Sequence, residues 1–237
     1  MGDVTGADRL LVVVGMPREA AIARGSERGP DTLVGTDRLG TILAERAACV
    51  LSFGLCGALD PALKVGDLII GSGVAAPGGF QPCDVAWLES LKRAFPAAML
   101  GSIPATPDIF ADPAARAELR AQSGGVAVDI ESGRIAAEAI RTNVPFAILR
   151  CVSDDAYRTL PRSAVAGFAD NGQIRPIRVL AELVRRPWEL GALIRTAVEA
   201  AIAFRALGDA RDLLGPGLGC PYLGQHLIDV AGEHEVR

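Results

Sequence analysis

Short apolar runs rich in β-branched residues alternate along this chain with longer segments of helical periodicity, and this alternation constrains the fold most. The runs are Leu10–Val14, Cys49–Phe53, Asp67–Ile70, Val126–Ile130 and Phe146–Val152. Helical patterns cover Thr36–Ala47, Asp84–Phe95, Asp112–Gln122 and Ser132–Thr142. Continuous apolar runs of this length are typical of strands that are buried on both faces. The sequence therefore predicts an α/β fold in which a sheet with parallel strands carries helices on both faces.

The composition indicates one domain with a sizeable core. Of the 237 residues, 50% are hydrophobic and 22% are charged, and a chain of this length can bury a large apolar surface in a single domain. We expect one domain over residues 1–237, with a distinct helical part near residues 158–208. The net charge of −4 gives no global attraction to a nucleic-acid backbone, so a small molecule is the favoured partner.

The sequence predicts a cytoplasmic protein without a metal or organic cofactor. The N-terminal segment carries acids where a signal peptide has a basic region, and no apolar stretch approaches the roughly 18 residues of a membrane span. The five cysteines include no CxxC pair, so we expect reduced thiols in a cytoplasmic protein. His226 and His234 are the only histidines, too few for a zinc site or a Ser-His-Asp triad. We expect no metal and no organic cofactor.

The segment from Arg158 to Arg205 is basic and amphipathic. It holds eight arginines and four acids, which gives it a net charge of +4. Its apolar residues recur at helical spacing on either side of Pro187, which predicts two consecutive helices. Two interpretations remain open: a helix pair packed on the domain with a solvated arginine face, or a surface that rests on anionic lipid.

The first strand runs into Gly15-Met16-Pro17-Arg18-Glu19, which places a cation beside a carboxylate. Ligands of parallel sheets gather at the carboxyl ends of the strands. Arg18 is therefore a candidate for binding an anion and Glu19 for orienting a water molecule. The alternative is that Glu19 only complements the dipole of the following helix.

The second apolar run continues into Gly54-Leu55-Cys56-Gly57-Ala58. Glycine at positions 54 and 57 lets the backbone approach a ligand closely, although a tight turn between a strand and a helix explains the same pattern. No histidine lies near Cys56 in sequence to activate its thiol. We therefore interpret Cys56 as a lining residue.

Two acids follow the late strands. Glu131 and Asp154 are 23 residues apart, which is the length of one helix and one strand, so a parallel sheet places both at one crevice. Paired carboxylates there can divide the work, one staying ionised to bind hydroxyls while the other keeps a proton to donate. The alternative is that Glu131 caps its helix and that Asp154 or Asp155 caps the next one.

Four blocks of the sequence, GMPRE, FGLCGALDPALKVGDLII, VAVDIES and VPFAILRCVSD, resemble the nucleoside phosphorylase and nucleosidase superfamily in order and spacing. The most similar branch is the methylthioadenosine/S-adenosylhomocysteine nucleosidases. The resemblance implies a three-layer α/β/α architecture with a central mixed, largely parallel twisted sheet. The segment from Ser163 to Leu207 is similar instead to the hopanoid-associated phosphorylases, which implies adenosylhopane as substrate and a role in hopanoid biosynthesis. The basic amphipathic character of this segment suits a lipid-linked nucleoside and contact with the inner face of the membrane.

The resemblance also implies a role for each site residue. Asp154, next to Ser153, would be the general acid at purine N7, and Glu131 would bind the ribose hydroxyls, with Ile130 where the family has methionine. Cys56 and Gly57 would approach the attacking water or phosphate. The purine would stack on Phe110 and have its edge bound by the backbone of Ala111.

The strand-one loop departs from the nucleosidase pattern. Arg18 stands where the family has its water-activating glutamate, and Glu19 follows one residue later. A shift of one residue in the loop restores Glu19 to that role and gives hydrolysis. Alternatively Arg18 binds inorganic phosphate as co-substrate, and the planar guanidinium, which suits bidentate binding of an oxyanion, favours phosphorolysis. The superfamily resemblance further implies a homodimer, and a catalytically inactive nucleoside-binding module is the remaining alternative.

Overall fold

A sheet of eight strands forms the centre of the computed structural model, which describes residues 9–25, 29–167 and 175–223. The strands are β1 Leu10–Val14, β2 Asp31–Val34, β3 Cys49–Ala58, β4 Leu68–Ala76, β5 Gly79–Pro82, β6 Met99–Pro104, β7 Ala127–Val128 and β8 Phe146–Asp154. Their order across the sheet is β2-β1-β3-β8-β4-β5, with β6 paired to β4 and β7 paired to β3.

The sheet is mixed and largely parallel, as the sequence predicts. Strand β1 pairs in parallel with β2 and β3, β3 with β8, and β4 with β6. Strand β4 runs antiparallel to β8 and β5, and β7 runs antiparallel to the end of β3. The carboxyl ends of β1, β3 and β8 therefore lie side by side.

Helices cover both faces of the sheet. They are α1 Pro17–Arg24, α2 Leu39–Arg46, α3 Val85–Ala94, α4 Pro113–Ser123, α5 Ser132–Thr142, α6 Arg162–Gly167, α7 Pro176–Arg185 and α8 Leu190–Leu214. Leu43 of α2 and Ile135 of α5 pack in one core with Val13, whereas α1, α3 and α8 pack in a second core with Val12. Since successive residues of β1 point to opposite faces, the two cores lie on opposite sides of the sheet. The predicted helices on both faces are confirmed.

The structure differs from the sequence prediction in the strands. The glycines after Phe53 lie inside β3, which continues to Ala58, so the alternative of a tight turn there is wrong. Strands β2, β5 and β6 have no counterpart among the predicted apolar runs, and β7 is shorter than the predicted run Val126–Ile130. The break at Pro187 is confirmed: a short 3-10 turn, Pro187–Glu189, separates α7 from α8. No helix of the described ranges is long and apolar enough to cross a bilayer.

Candidate active site

The candidate site lies where β1, β3 and β8 end. Glu19 follows β1 in the first turn of α1, Gly57 lies near the end of β3, and Asp154 ends β8 directly opposite Gly57 in the strand pairing. Glu131 immediately precedes α5 and lies three residues after β7, which pairs with the same end of β3. The sheet topology therefore brings four of the sequence-predicted residues to one edge.

Glu19 is a buried carboxylate that joins two of these strands. Its Oε2 accepts hydrogen bonds from the backbone N–H groups of Gly15 and Met16 at 2.9 and 2.8 Å, and its Oε1 accepts one from Leu55 at 2.7 Å. The bond from Met16 caps α1, so the helix-terminus interpretation holds in part. Burial raises the pKa of Glu19, against the opposing effect of Arg150 and of these backbone donors. A raised pKa suits a general base at neutral pH.

Arg150 lies at the centre of the site, and it is not among the residues predicted from the sequence. It lies in β8, is fully buried, and donates from Nη2 to Ser52 Oγ at 2.6 Å, Asp129 Oδ1 at 3.2 Å and Glu131 Oε2 at 3.3 Å. A Cβ atom at Gly54 would lie 2.8 Å from Arg150 Nη1 and 2.5 Å from Glu19 Oε1. The space beside Gly54 is therefore occupied by the side chains of Glu19 and Arg150 and not left open for a ligand.

Glu131 is held against the first loop. A Cβ atom at Gly15 would collide with its carboxylate. Burial raises the pKa of Glu131 to about 7, against the opposing effect of Arg150. The predicted alternative that Glu131 caps α5 is wrong, because Asp129 Oδ1 accepts from the backbone N–H groups of Glu131 and Ser132 at 2.9 and 2.7 Å and performs that capping.

Three carboxylates, from Glu19, Asp129 and Glu131, thus surround one guanidinium, that of Arg150. Since one positive charge cannot compensate three negative charges in a buried site, the group retains a proton at a carboxylate more readily than an exposed acid does. The arrangement can therefore accept or release a proton near neutral pH.

Asp154 forms the second polar cluster of the site. Its Oδ1 accepts a hydrogen bond from Ser153 Oγ at 2.6 Å, and its Oδ2 forms an ion pair with Arg116 of α4. Arg116 is buried and donates to the carbonyl oxygens of Phe110 at 2.7 Å and Asp155 at 2.8 Å. Arg116 therefore ties the segment predicted to bind the purine to the end of β8, and the sequence reasoning missed it.

Gly57 and Cys56 line the floor of this cluster. A Cβ atom at Gly57 would lie 3.1 Å from Asp154 Oδ2, so a larger residue would press on the acid. Burial raises the pKa of the Cys56 thiol well above its usual range. Cys56 is therefore a neutral thiol, which agrees with a lining residue.

Arg18, Ile130 and Ala111 lie at the margin. Arg18 is exposed, and its guanidinium carbon lies 4.2 Å from the ring centroid of Phe204 in α8, so it stacks there while Glu19 points to the strand ends. Ile130 is about half exposed. The carbonyl of Ala111 already accepts a hydrogen bond from the backbone of Leu160 at 2.9 Å.

Metal-ligating side chains do not converge in the part of the chain that the structure describes: no three His, Cys, Asp or Glu side chains there are placed to hold a metal ion. His226 and His234 lie outside the described residues.

A family model, described as the phosphorylase superfamily, matches residues 32–185. The chain belongs to this family. No curated protein matches the chain in sequence.

Solved structures resemble this phosphorylase-superfamily chain in fold at low sequence identity. A 5′-methylthioadenosine/S-adenosylhomocysteine nucleosidase from Colwellia psychrerythraea, in complex with adenine, superposes with a TM-score of 0.57 at 20% identity, over 66% of this chain and 86% of that chain. The corresponding nucleosidase from Helicobacter pylori gives 0.59 at 15% identity, over 87% and 98%. A futalosine hydrolase from Helicobacter pylori gives 0.56 at 15% identity, over 86% and 98%. At sequence identities of 15–20%, these structures show that the chain shares their fold.

Proposed function

We propose that the protein cleaves the N-glycosidic bond of a 5′-modified adenosine and releases adenine. The observation that carries the proposal is the pair of buried polar clusters at adjacent strand ends, one around Asp154 and one around Glu19, Glu131 and Arg150. Membership of the phosphorylase superfamily supports it, as does the fold shared with nucleosidases that act on methylthioadenosine and S-adenosylhomocysteine.

In the proposed reaction Asp154 protonates N7 of the purine, so that the base leaves neutral from an oxocarbenium-like transition state. Such protonation contributes typically about 10²–10⁴-fold to a rate. Arg116 then stabilises the carboxylate that remains after the proton is transferred. Glu131 binds the ribose hydroxyls and, when ionised, stabilises the positive charge on the sugar. Phe110 and Ala111 hold the base, with Ile130 at the sugar.

For the second substrate, the geometry favours water over phosphate. Glu19 has the buried position and raised pKa of a base that activates water, and the surrounding carboxylates would repel a phosphate dianion. Arg18 stacks on Phe204 instead of facing them. We therefore place hydrolysis first and keep phosphorolysis, with Arg18 binding the phosphate, as the alternative.

The finer part of the proposal concerns the 5′ substituent. The resemblance of the C-terminal segment to hopanoid-associated phosphorylases makes adenosylhopane, a lipid-linked nucleoside, the first candidate substrate, with methylthioadenosine as the alternative. We further propose a homodimer that contacts the membrane peripherally. Exposed apolar side chains on α7 and α8, such as Val184 and Ile194, support a lipid partner.

Adenine release from adenosylhopane and from methylthioadenosine, each with and without inorganic phosphate, tests the proposal. We expect phosphate-independent release and free sugar as the product, identified by mass.

Glu19→Gln should slow release about 10²–10⁴-fold, whereas Arg18→Met should retain near-normal activity. Phosphate-dependent release that Arg18→Met abolishes would establish phosphorolysis. Adenine binding without release from either nucleoside would favour the inactive module.

A further inference from the structure

Apolar side chains form an exposed surface along α7, the turn after it and the first half of α8. We call it the apolar stripe. It comprises Ile177, Leu180, Val184, Trp188, Ile194 and Val198, each at least 55% exposed. Monomeric soluble proteins rarely expose so many large apolar side chains together, and such patches mark interaction sites.

The spacing places the residues of the apolar stripe on one face of each helix. Ile177, Leu180 and Val184 follow the i, i+3, i+7 pattern of one face of α7, and Ile194 and Val198 are four residues apart on α8. No residue of α7 is buried. The apolar face of this amphipathic helix therefore points away from the domain, where such a face ordinarily packs inward.

Arginines accompany the apolar stripe. Arg175, Arg178 and Arg205 are exposed, and within the described ranges none of the three forms an ion pair through its side chain. They leave an excess of positive charge beside the apolar side chains. Apolar side chains with a neighbouring tryptophan and free cations are the composition of a helix that lies in a membrane interface.

We propose that the apolar stripe rests on the surface of an anionic lipid bilayer. Its side chains enter the boundary between headgroups and acyl chains, and the arginines contact lipid phosphates. A second copy of the chain fits less well, because a two-fold interface would place two surfaces that both carry an excess of positive charge against each other. This proposal deepens the peripheral membrane contact proposed above, since it names the surface and the lipid charge, and vesicle binding tests it apart from adenine release.

Flotation with vesicles tests the proposal. We expect binding to phosphatidylcholine mixed with an equal amount of phosphatidylglycerol, and much less binding to phosphatidylcholine alone or at high salt. Ile177→Glu with Val184→Glu should weaken partitioning by at least about tenfold. Because α7 buries no residue, the variant should keep the wild-type melting temperature.

Phe80→Glu is the control: Phe80 is likewise an exposed apolar residue, at 55%, but it lies on β5 outside the apolar stripe, so this variant should bind vesicles as the wild type does. Absence of flotation with anionic vesicles would overturn the proposal. So would a stable dimer that the double variant dissociates, measured by light scattering, together with unchanged vesicle binding.

A separate observation concerns two cysteines at the other end of the sheet. Sγ of Cys49, the first residue of β3, lies 3.0 Å from Sγ of Cys220. Cys220 belongs to the segment after α8, which is anchored by the fully buried Leu218 and by a hydrogen bond from Trp87 Nε1 to the Leu218 carbonyl at 3.1 Å. All five cysteines of the chain are free thiols in this structure.

We infer that Cys49 and Cys220 form a disulfide when the protein meets hydrogen peroxide. The Cys220 thiolate attacks one peroxide oxygen and becomes a sulfenic acid, with release of hydroxide, which takes up the thiol proton as water. The Cys49 sulfur then attacks the sulfenic sulfur, and a second water leaves as the S–S bond forms. Two thiols thus supply the two electrons that reduce the peroxide. The sulfurs must approach by about 1 Å.

Local electrostatics agree with this order of attack. The hydrogen bond with Cys49 lowers the pKa of Cys220, and the pKa of Cys49 is raised. Cys220 is also the more exposed thiol of the two. Cys49 begins β3 while Gly57 lies near its end, roughly 25 Å away at 3.3 Å per residue. The disulfide should therefore leave the candidate active site intact.

Treatment with one equivalent of peroxide tests this inference. We expect intact mass to fall by two hydrogen atoms, a linked peptide containing both cysteines, and a melting temperature raised on the order of 5 °C and restored by dithiothreitol. Cys220→Ser should abolish all three changes, and Cys83→Ser, which removes another buried thiol, should retain them. Oxygen addition to Cys220 without a linked peptide would refute the inference.

Discussion

Replacing Asp154 with asparagine should lower kcat/KM for adenine release by about 10²–10⁴-fold. Asparagine keeps one of the two oxygens, so it can accept from Ser153 or from Arg116, but it has no acidic proton to give to purine N7. Adenine must then leave as an anion. Steady-state release, measured below the unfolding temperature of the variant, checks the prediction.

The matched control is Asp155→Asn. Asp155 is the next residue, and within the described part of the chain its carboxylate accepts one hydrogen bond, from the backbone of Tyr157 at 3.0 Å, so its loss should leave the rate near that of the wild type. Arg116 retains its bonds to the Phe110 and Asp155 carbonyls in either variant. A rate for Asp154→Asn within about threefold of the wild type would remove Asp154 from the role of general acid.

The fold follows from sequence where burial is uniform. Strand β1 and the first part of β3 are wholly buried and therefore appear as uninterrupted apolar runs. Strands β2 and β5 have four residues each, little burial and edge positions, so they lack that pattern. The antiparallel direction of β4 against β8 depends on the path of the chain between them and leaves no local trace.

Part of the candidate site follows from sequence for a different reason. Glu131 and Asp154 are noticeable because each stands where an apolar run ends. Arg150 lies inside such a run. An arginine in a strand that is otherwise apolar indicates a buried charge, and because a buried arginine needs partners, its position could have pointed to the site. Arg116 lies in an alanine-rich helical segment and resembles an exposed helix cation; only the three-dimensional structure shows that it is buried against Asp154.

Replacing Arg150 with methionine should destabilise the protein by about 3–5 kcal/mol at neutral pH. Methionine fills a similar length but leaves Glu19, Asp129 and Glu131 without the cation that compensates them. It also leaves Ser52 Oγ without its donor at 2.6 Å. Urea unfolding of both proteins gives the difference, and adenine release should fall with it, because the same carboxylates act in the proposed reaction.

Arg134→Met is the control for this variant. Arg134 lies on α5 and is exposed, so removing its charge should change the free energy of unfolding by less than about 0.5 kcal/mol. An Arg150→Met protein as stable as the Arg134→Met protein would show that the carboxylates do not depend on Arg150.

The pH dependence provides a sharper criterion than the loss of stability alone. In the wild type the pKa of Glu131 is raised from 4.5 in the reference state to about 7, so the native state binds more protons than the unfolded chain between these values. Its contribution to stability therefore falls as pH rises from about 4.5 to about 7. Arg150 opposes this rise in pKa for both Glu131 and Glu19. Without it the native carboxylates hold their protons to higher pH, and the difference in stability between variant and wild type should grow from pH 5 to pH 8. A difference that stays constant over that interval would mean that Arg150 supports the site through packing and not through its charge.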